Sequence, residues 1–290
     1  MTSNTERMIE PLAGTYNLSD YEEVRNNFTW DNIDSKLNIA YETIDRHVDD
    51  GYGKKTALHY VNGDERVSYT FQEVKEKTDH YARILKRNGV KKSDRVFVFL
   101  PKTPECYISI LAVIKIGAIA GPLFEAFMED AVRDRINDCE GTLLITDKEM
   151  ASRVPKEDIP SLETILYAED IEAEPILNNG EEYVEWVDKE DGMLIHYTSG
   201  STGKPKGVLH AHKVLPHQYQ SGKWVLDIKD DDIYWCTSHP GWVTGSVYGL
   251  FAPWLNRATI VIQGGRFKAE EWYKLIAELK VTIWYRATTA

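Results

Sequence analysis

Between residues 70 and 146 short apolar runs alternate with amphipathic stretches, an order that few folds accept. Thr70-Phe71-Gln72-Glu73 is a capping box, in which hydroxyl and carboxylate satisfy orphan amides reciprocally. Phe71, Val74, Thr78, Tyr81, Ala82 and Leu85 follow at helical spacing, and Asn88-Gly89 supplies the stop. Asp94–Leu100 reads as a buried strand. Thr103 as N-cap, Pro104 at N1 and Glu105 in the first turn then open an apolar helix to Ile116. Ala118–Phe124 reads as a strand, Glu129–Cys139 as an amphipathic helix, and Thr142–Thr146 as a further strand. The pattern predicts an α/β fold of layered, mostly parallel sheets with flanking helices.

The apolar stretch Cys106–Phe124 raises a membrane question, which Lys115 near its centre answers at a cost of roughly 2.5–3.5 kcal/mol on insertion scales. Gly117 and Gly121-Pro122 then divide it into helix and strand, so it reads as core and no membrane partner is expected. A net charge of −12 with no basic run argues against a nucleic-acid partner. Cys106, Cys139 and Cys236 are odd in number and lack zinc spacing, so they read as core filler. With no signal-peptide pattern in the acidic first thirty residues, the expected compartment is the cytoplasm.

Asp147–Asp191 breaks the alternation. After a candidate strand at Glu163–Tyr167, carboxylates accumulate around the turn Asn178-Asn179-Gly180, which reads as a solvated connector. Strands are expected again from Met193, at Ile233–Thr237, Thr259–Ile262 and Thr282–Tyr285, with a helix at Lys268–Leu279. The expected organisation is an N-terminal arm over 1–45, a first α/β subdomain with its acidic connector over 46–190, and a second α/β region over 191–290. Ending on a fresh core strand suggests a fragment.

Tyr197-Thr198-Ser199-Gly200-Ser201-Thr202-Gly203-Lys204-Pro205-Lys206-Gly207-Val208 follows the apolar run Met193-Leu194-Ile195. Glycines let backbone amides approach a ligand closely, while hydroxyls and lysines add donors and charge. The stretch suits a polyphosphate, although its spacing is not that of a Walker A loop. A flexible Gly/Ser linker is the competing reading, disfavoured by Lys-Pro-Lys and by the apolar strand before it.

The whole run from Tyr197 to Val208 resembles the phosphate-binding signature of the adenylate-forming superfamily. That resemblance implies the large N-terminal domain of such an enzyme, incomplete at its C-terminus. It implies that a carboxylate attacks the α-phosphorus of ATP, giving an acyl adenylate and pyrophosphate, and that CoA then displaces AMP. ATP, Mg²⁺ and CoA are the implied cofactors and co-substrates. Thr198, Ser199, Gly200, Ser201, Thr202, Gly203, Lys204 and Lys206 become the nucleotide-binding candidates, with Thr202 and Lys206 acting in catalysis. No protein metal site is expected, since Mg²⁺ would be held by phosphates and water.

Trp235-Cys236-Thr237-Ser238-His239-Pro240-Gly241-Trp242-Val243-Thr244-Gly245 combines a strand end with a Pro-Gly turn, where open α/β sheets bind ligands. This segment, Tyr248–Asn256, Asn38–His47 and Gly264-Gly265-Arg266-Phe267 resemble the AMP-forming acetyl-CoA synthetase type. The resemblance covers nearly the whole chain. It makes Trp242, Val243 and Thr244 the substrate-binding candidates walling a small acyl pocket for acetate, and places basic residues near Arg153 at the CoA site. Two positions depart from that type. His239 stands where an aspartate is usual, and Ala287-Thr288-Thr289-Ala290 stands where Ala-Pro-Thr-Ala is usual. Three readings stay open: a ligase for another carboxylic acid, an amino-acid adenylation domain, or a truncated, non-catalytic polyphosphate-binding module. Homo-oligomerisation also stays open. His210 and His212 are spaced to share a strand face, with His217 near, but no third soft ligand accompanies them and a structural role is expected.

Overall fold

The computed structural model describes residues 36–177, 181–199, 204–265 and 268–286. In chain order they form β1 (Lys36–Leu37), helical turns at Tyr41–Asp45 and Val48–Tyr52, β2 (Thr56–Asn62), β3 (Glu65–Thr70) and α1 (Phe71–Arg87). Next come β4 (Arg95–Phe99), α2 (Pro104–Lys115), β5 (Ile119–Pro122), α3 (Glu129–Asp138), β6 (Leu143–Thr146), β7 (Thr164–Tyr167) and α4 (Ala168–Ala173). The remainder is β8 (Val187–Asp188), β9 (Gly192–Ser199), β10 (Pro205–Ala211), α5 (Leu215–Val225), β11 (Ile233–Cys236) and α6 (Val243–Ser246). The chain closes with α7 (Ala252–Leu255), β12 (Thr259–Gln263), α8 (Ala269–Leu279) and β13 (Ile283–Tyr285).

Two mostly parallel sheets result. The six-stranded sheet runs β10-β9-β5-β4-β6-β7 and the five-stranded sheet β13-β11-β12-β2-β3. Each is parallel except for one antiparallel hairpin at an edge, β9–β10 in the first and β2–β3 in the second. Both sheets take strands from either side of residue 190. Residues 36–45 are packed in as well. Ile39, Ala40 and Ile44 are fully buried, and the Asn38 side-chain amide lies within 3.0 Å of the carbonyls of Ile114, Lys115 and Glu185.

The largest apolar cluster joins β2 and β12 of one sheet to β4, β5 and β9 of the other, with α1, α2 and α7 between them. Phe97, Phe99, Leu144, Ile195 and Tyr197 pack against α3 on the far face of the six-stranded sheet. Val61, Trp235 and Val261 pack against α8 on the far face of the five-stranded sheet. The layers are therefore helix, sheet, helix, sheet, helix, which buries both faces of each sheet.

The elements form for the reasons their sequences give. Thr70 Oγ1 accepts the Glu73 amide while Glu73 Oε2 accepts the Thr70 amide at 2.7 Å, completing the capping box of α1. All six positions read at helical spacing are buried, and α1 is capped by Asn88 before Gly89 with φ +84°. Helix α2 is buried at every position except Glu105, as befits a largely apolar helix between two sheets. Pro104 occupies N1, but Thr103 makes no side-chain cap.

Lys115 ends α2 fully buried. Its ammonium lies 2.9 Å from Asp45 Oδ2, 2.8 Å from Asp79 Oδ1 and 2.8 Å from Thr78 Oγ1. The charge that disfavoured a membrane span is neutralised inside the protein. Among the described residues no helix is long and apolar enough to cross a membrane.

The acidic stretch keeps Glu169, Asp170, Glu172, Glu181 and Glu182 exposed, but it is also built into the fold. It supplies β7, α4 and β8, and Ile171, Tyr183 and Val187 are buried. Glu172 pairs with Lys77 and accepts the Tyr81 hydroxyl at 2.9 Å, and Glu174 binds Arg87 at 2.6 Å. Its carboxylates are partners for the basic face of α1. Composition could not reveal this, because those bases lie about ninety residues earlier in the chain.

Candidate active site

Strands β4, β5 and β9 run parallel, as do β11 and β12, so their C-terminal ends form the edges where open α/β sheets take ligands. The ends of the two sheets meet. Lys102 follows β4 and is buried, and its ammonium donates to Thr237 O just beyond β11 at 3.0 Å. In return His239 Nε2 lies 3.0 Å from Leu100 O, and His239 Nδ1 accepts the Gly241 amide at 2.9 Å. An accepting Nδ1 carries no proton, so Nε2 bears it and donates to Leu100. Burial lowers the His239 pKa to about 3, which keeps the ring neutral.

Gly241 has no side chain because there is no room for one. A Cβ there would lie 2.5 Å from the Phe124 amide nitrogen, in the segment after β5. The turn is held from β9 too. His196 Nε2 lies 3.0 Å from Ser246 Oγ and 3.4 Å from Pro240 O. Burial lowers the His196 pKa to about 4, with His210 adding to the effect.

This packing presents Trp242 and Val243 outward, 45 % and 42 % exposed, and leaves Thr244 half-buried. The Trp242 ring lies 5.4 Å from Phe124 and 6.3 Å from Phe127. The Arg135 guanidinium sits 4.1 Å over Phe127. An aromatic shelf with a cation on one side thus borders the turn. Phe124, Phe127, Arg135 and Lys102 belong to no motif in the sequence, although Phe124 ends the expected strand Ala118–Phe124 and Phe127 comes three residues later.

Thr198 and Lys206 are cross-strand partners in the β9–β10 hairpin, and both side chains are exposed, as is that of Lys204. Gly200, Ser201, Thr202 and Gly203 lie outside the described residues, as does the Ser199 side chain. The Lys206 and Thr198 pair is two residues from His196, which touches the turn bearing Trp242–Thr244. The two predicted constellations therefore share one edge of the protein.

Other candidates sort differently. Arg153 is occupied, donating to Glu125 O at 2.7 Å and Phe127 O at 3.1 Å, which supports the aromatic segment from beneath. His210 and His212 do not share a strand face. Strand β10 ends at Ala211 after a register shift, and His212 is buried with its Nδ1 accepting the Ile39 amide at 3.1 Å. That is the structural role expected of it. Cys106 and Cys236 are buried, and burial raises both thiols, as core filler requires. Thr288 lies outside the described residues.

Fold and edge define a two-sheet α/β domain whose strand ends bring the β9–β10 pair and an aromatic turn to one edge. The chain belongs to the AMP-binding enzyme family, which matches residues 45–290. It is 49% identical to an acetyl-coenzyme A synthetase of Bacillus subtilis (strain 168), over 98% of this chain and 53% of that protein. It is 36% identical to an acetyl-coenzyme A synthetase of Rubrobacter xylanophilus, over 89% of this chain and 45% of that one. A Brucella canis acyl-CoA synthetase shares the fold with a TM-score of 0.84 at 23% identity, over 97% of this chain and 52% of that structure. An anthranilate CoA ligase solved with anthranoyl-AMP matches with a TM-score of 0.78 at 25% identity, over 88% of this chain and 49% of that structure. The chain thus spans about half the length of the curated relatives it matches.

Proposed function

We propose that this chain is part of an ATP-dependent acid–CoA ligase that converts acetate, ATP and CoA to acetyl-CoA, AMP and pyrophosphate through acetyl-AMP. The observation that carries the reading is a juxtaposition. The hairpin pairing Thr198 with Lys206 and the turn bearing Trp242, Val243 and Thr244 share one edge, linked through His196 and Ser246. One supplies donors and a cation for a polyphosphate, the other an apolar wall for a small acyl group.

The chemistry follows from charge. An acetate oxygen attacks the α-phosphorus, the bond to the β-phosphate oxygen breaks, and pyrophosphate leaves with the electron pair. Nucleotidyl transfer needs in-line placement and stabilised charge more than it needs a protein nucleophile. Lys206 supplies a cation at the hairpin, and Thr198, Ser199, Ser201 and Thr202 supply hydroxyl donors. Gly200 and Gly203 let the amides approach the phosphates. Among the described residues no group of three or more His, Cys, Asp or Glu could hold a metal. A magnesium ion arriving with ATP takes its oxygens chiefly from phosphates and water. The CoA thiolate then attacks the acyl carbon and AMP departs.

Val243 and Thr244 set the acid by steric exclusion. A pocket discriminates one methylene by about 1–3 kcal/mol, so propionate should be a weaker substrate and not an excluded one. The test is kcat/KM across acetate, propionate, butyrate, benzoate and several amino acids, with the protein in its full natural length. Acetate should lead, with propionate second. A lead by an aromatic acid or an amino acid would replace the acetate assignment.

A further inference from the structure

We infer that His239 is a positioning residue: a neutral imidazole that clips the end of the six-stranded sheet to the turn bearing Trp242–Thr244, and so fixes where the acyl wall stands. The inference rests on the reading of Val243 and Thr244 as that wall.

Three observations carry it. The ring is used at both ends, with Nε2 bonded to Leu100 O and Nδ1 to the Gly241 amide, two residues along its own turn. The bond from Lys102 to Thr237 O crosses the same seam in the opposite sense, so segments 100–102 and 237–239 are joined by a reciprocal pair. Finally the turn has no slack. A Cβ on Gly241 would meet Phe124 backbone at 2.5 Å, and one on Gly245 would meet His239 O at 2.0 Å. A shift at His239 must therefore pass to Trp242 and Val243.

The chemistry of the ring matters as much as its size. A carboxylate in its place could accept from Gly241 but could not donate to Leu100 O, and would set two acceptors face to face. A protonated imidazole would lose its acceptor and oppose the Gly241 amide. The ring is 4 % exposed, packs edge-on to Phe124 at 5.5 Å, and faces the Lys102 ammonium, which disfavours a second positive charge. The neutral Nε2–H tautomer is the one form that satisfies all its partners.

The test combines spectroscopy with kinetics. In ¹⁵N-labelled protein, His239 should show the Nε2–H tautomer with no titration from about pH 5 to about pH 8, where an ordinary histidine changes charge. Hydrogen exchange at the Gly241 amide should be slow. In the full-length protein, His239→Leu should raise the KM for acetate about tenfold, the scale of a lost buried hydrogen bond. The KM for ATP should stay within about twofold, because the hairpin belongs to β9 and β10. His239→Gln keeps a donor for Leu100 and His239→Asn keeps an acceptor for Gly241, so each should recover part of the loss. A titrating or Nδ1-protonated ring, or an unchanged acetate KM in a folded Leu variant, overturns the inference. Equal rises in both KM values also overturn it, since they mark a general fold effect. Should the protein activate none of the acids, the functional reading fails, while the spectra and the exchange rate still decide for or against the clip.

Discussion

Replacing Lys115 with methionine removes the ammonium that lies nearest Asp45 among the described residues, 2.9 Å from Oδ2. At 2.9 Å a unit charge pair attracts by about 6 kcal/mol at an effective dielectric near 20, gross of desolvation. Methionine conserves volume and needs no solvation, so the cost lies with the carboxylates left behind. Asp79 is 20% exposed and can turn to water, but Asp45 is 3% exposed and cannot. Burial already raises the Asp45 carboxyl against the pull of Lys115. Without that lysine Asp45 must take a proton. Protonating an ordinary aspartate costs about 4 kcal/mol at pH 7 and about 1.5 kcal/mol at pH 5. Lys75, 3.6 Å away, offsets a fraction. The expected loss in urea unfolding is therefore about 3–4 kcal/mol at pH 7, shrinking to half or less at pH 5. The double variant Asp45→Asn/Lys115→Met should recover most of it. A loss below about 1 kcal/mol, or one equal at both pH values, would show that Asp45 does not depend on Lys115 for its charge.

Three further outcomes are expected. Lys206→Ala should slow adenylation on the order of a hundredfold, as loss of one preorganised transition-state donor does, with less effect on thiol transfer from supplied acetyl-AMP; equal losses in both half-reactions would assign Lys206 to the fold. Val243→Gly should move preference from acetate toward propionate and butyrate by up to about tenfold per carbon, read as relative kcat/KM, and an unchanged ranking in a folded variant would remove Val243 from the pocket. Burial holds His47 and His239 near pKa about 3 and His196 and His212 near about 4, so they stay neutral in the folded state. The unfolded chain takes up these protons below about pH 6.5, so stability is full above that pH and is lost as pH falls toward about 4, by about 2 kcal/mol per histidine at pH 5. Asp45 and Glu42, which burial raises, oppose this in the carboxylate range. A urea midpoint unchanged between pH 7 and pH 5 would contradict the histidine assignments.

The legible part of this fold was the part governed by local rules. The capping box, the Pro104 start and the Asn88-Gly89 stop are local, and each element they bound appears within a residue or two of its expected place. Strand order was not legible, because nothing local says that β2 and β3 join β12 two hundred residues later. The same limit applied to the acidic stretch, whose partners lie on α1, and to Lys115, which sequence placed in the core without saying what neutralises it. At the site, glycines and hydroxyls marked the hairpin, and the Pro-Gly turn marked Trp242. The seam between Leu100–Lys102 and Thr237–His239 was hidden, since each half is unremarkable until the two sheets meet.

Formation of acetyl-AMP is read out by acetate-dependent exchange of labelled pyrophosphate into ATP, using the protein in its full natural length with Mg²⁺. Exchange should require acetate and proceed without CoA, because the adenylate forms before the thiol is used. Absence of exchange, exchange that needs CoA, or release of ADP and phosphate in place of AMP and pyrophosphate would contradict a route through acetyl-AMP.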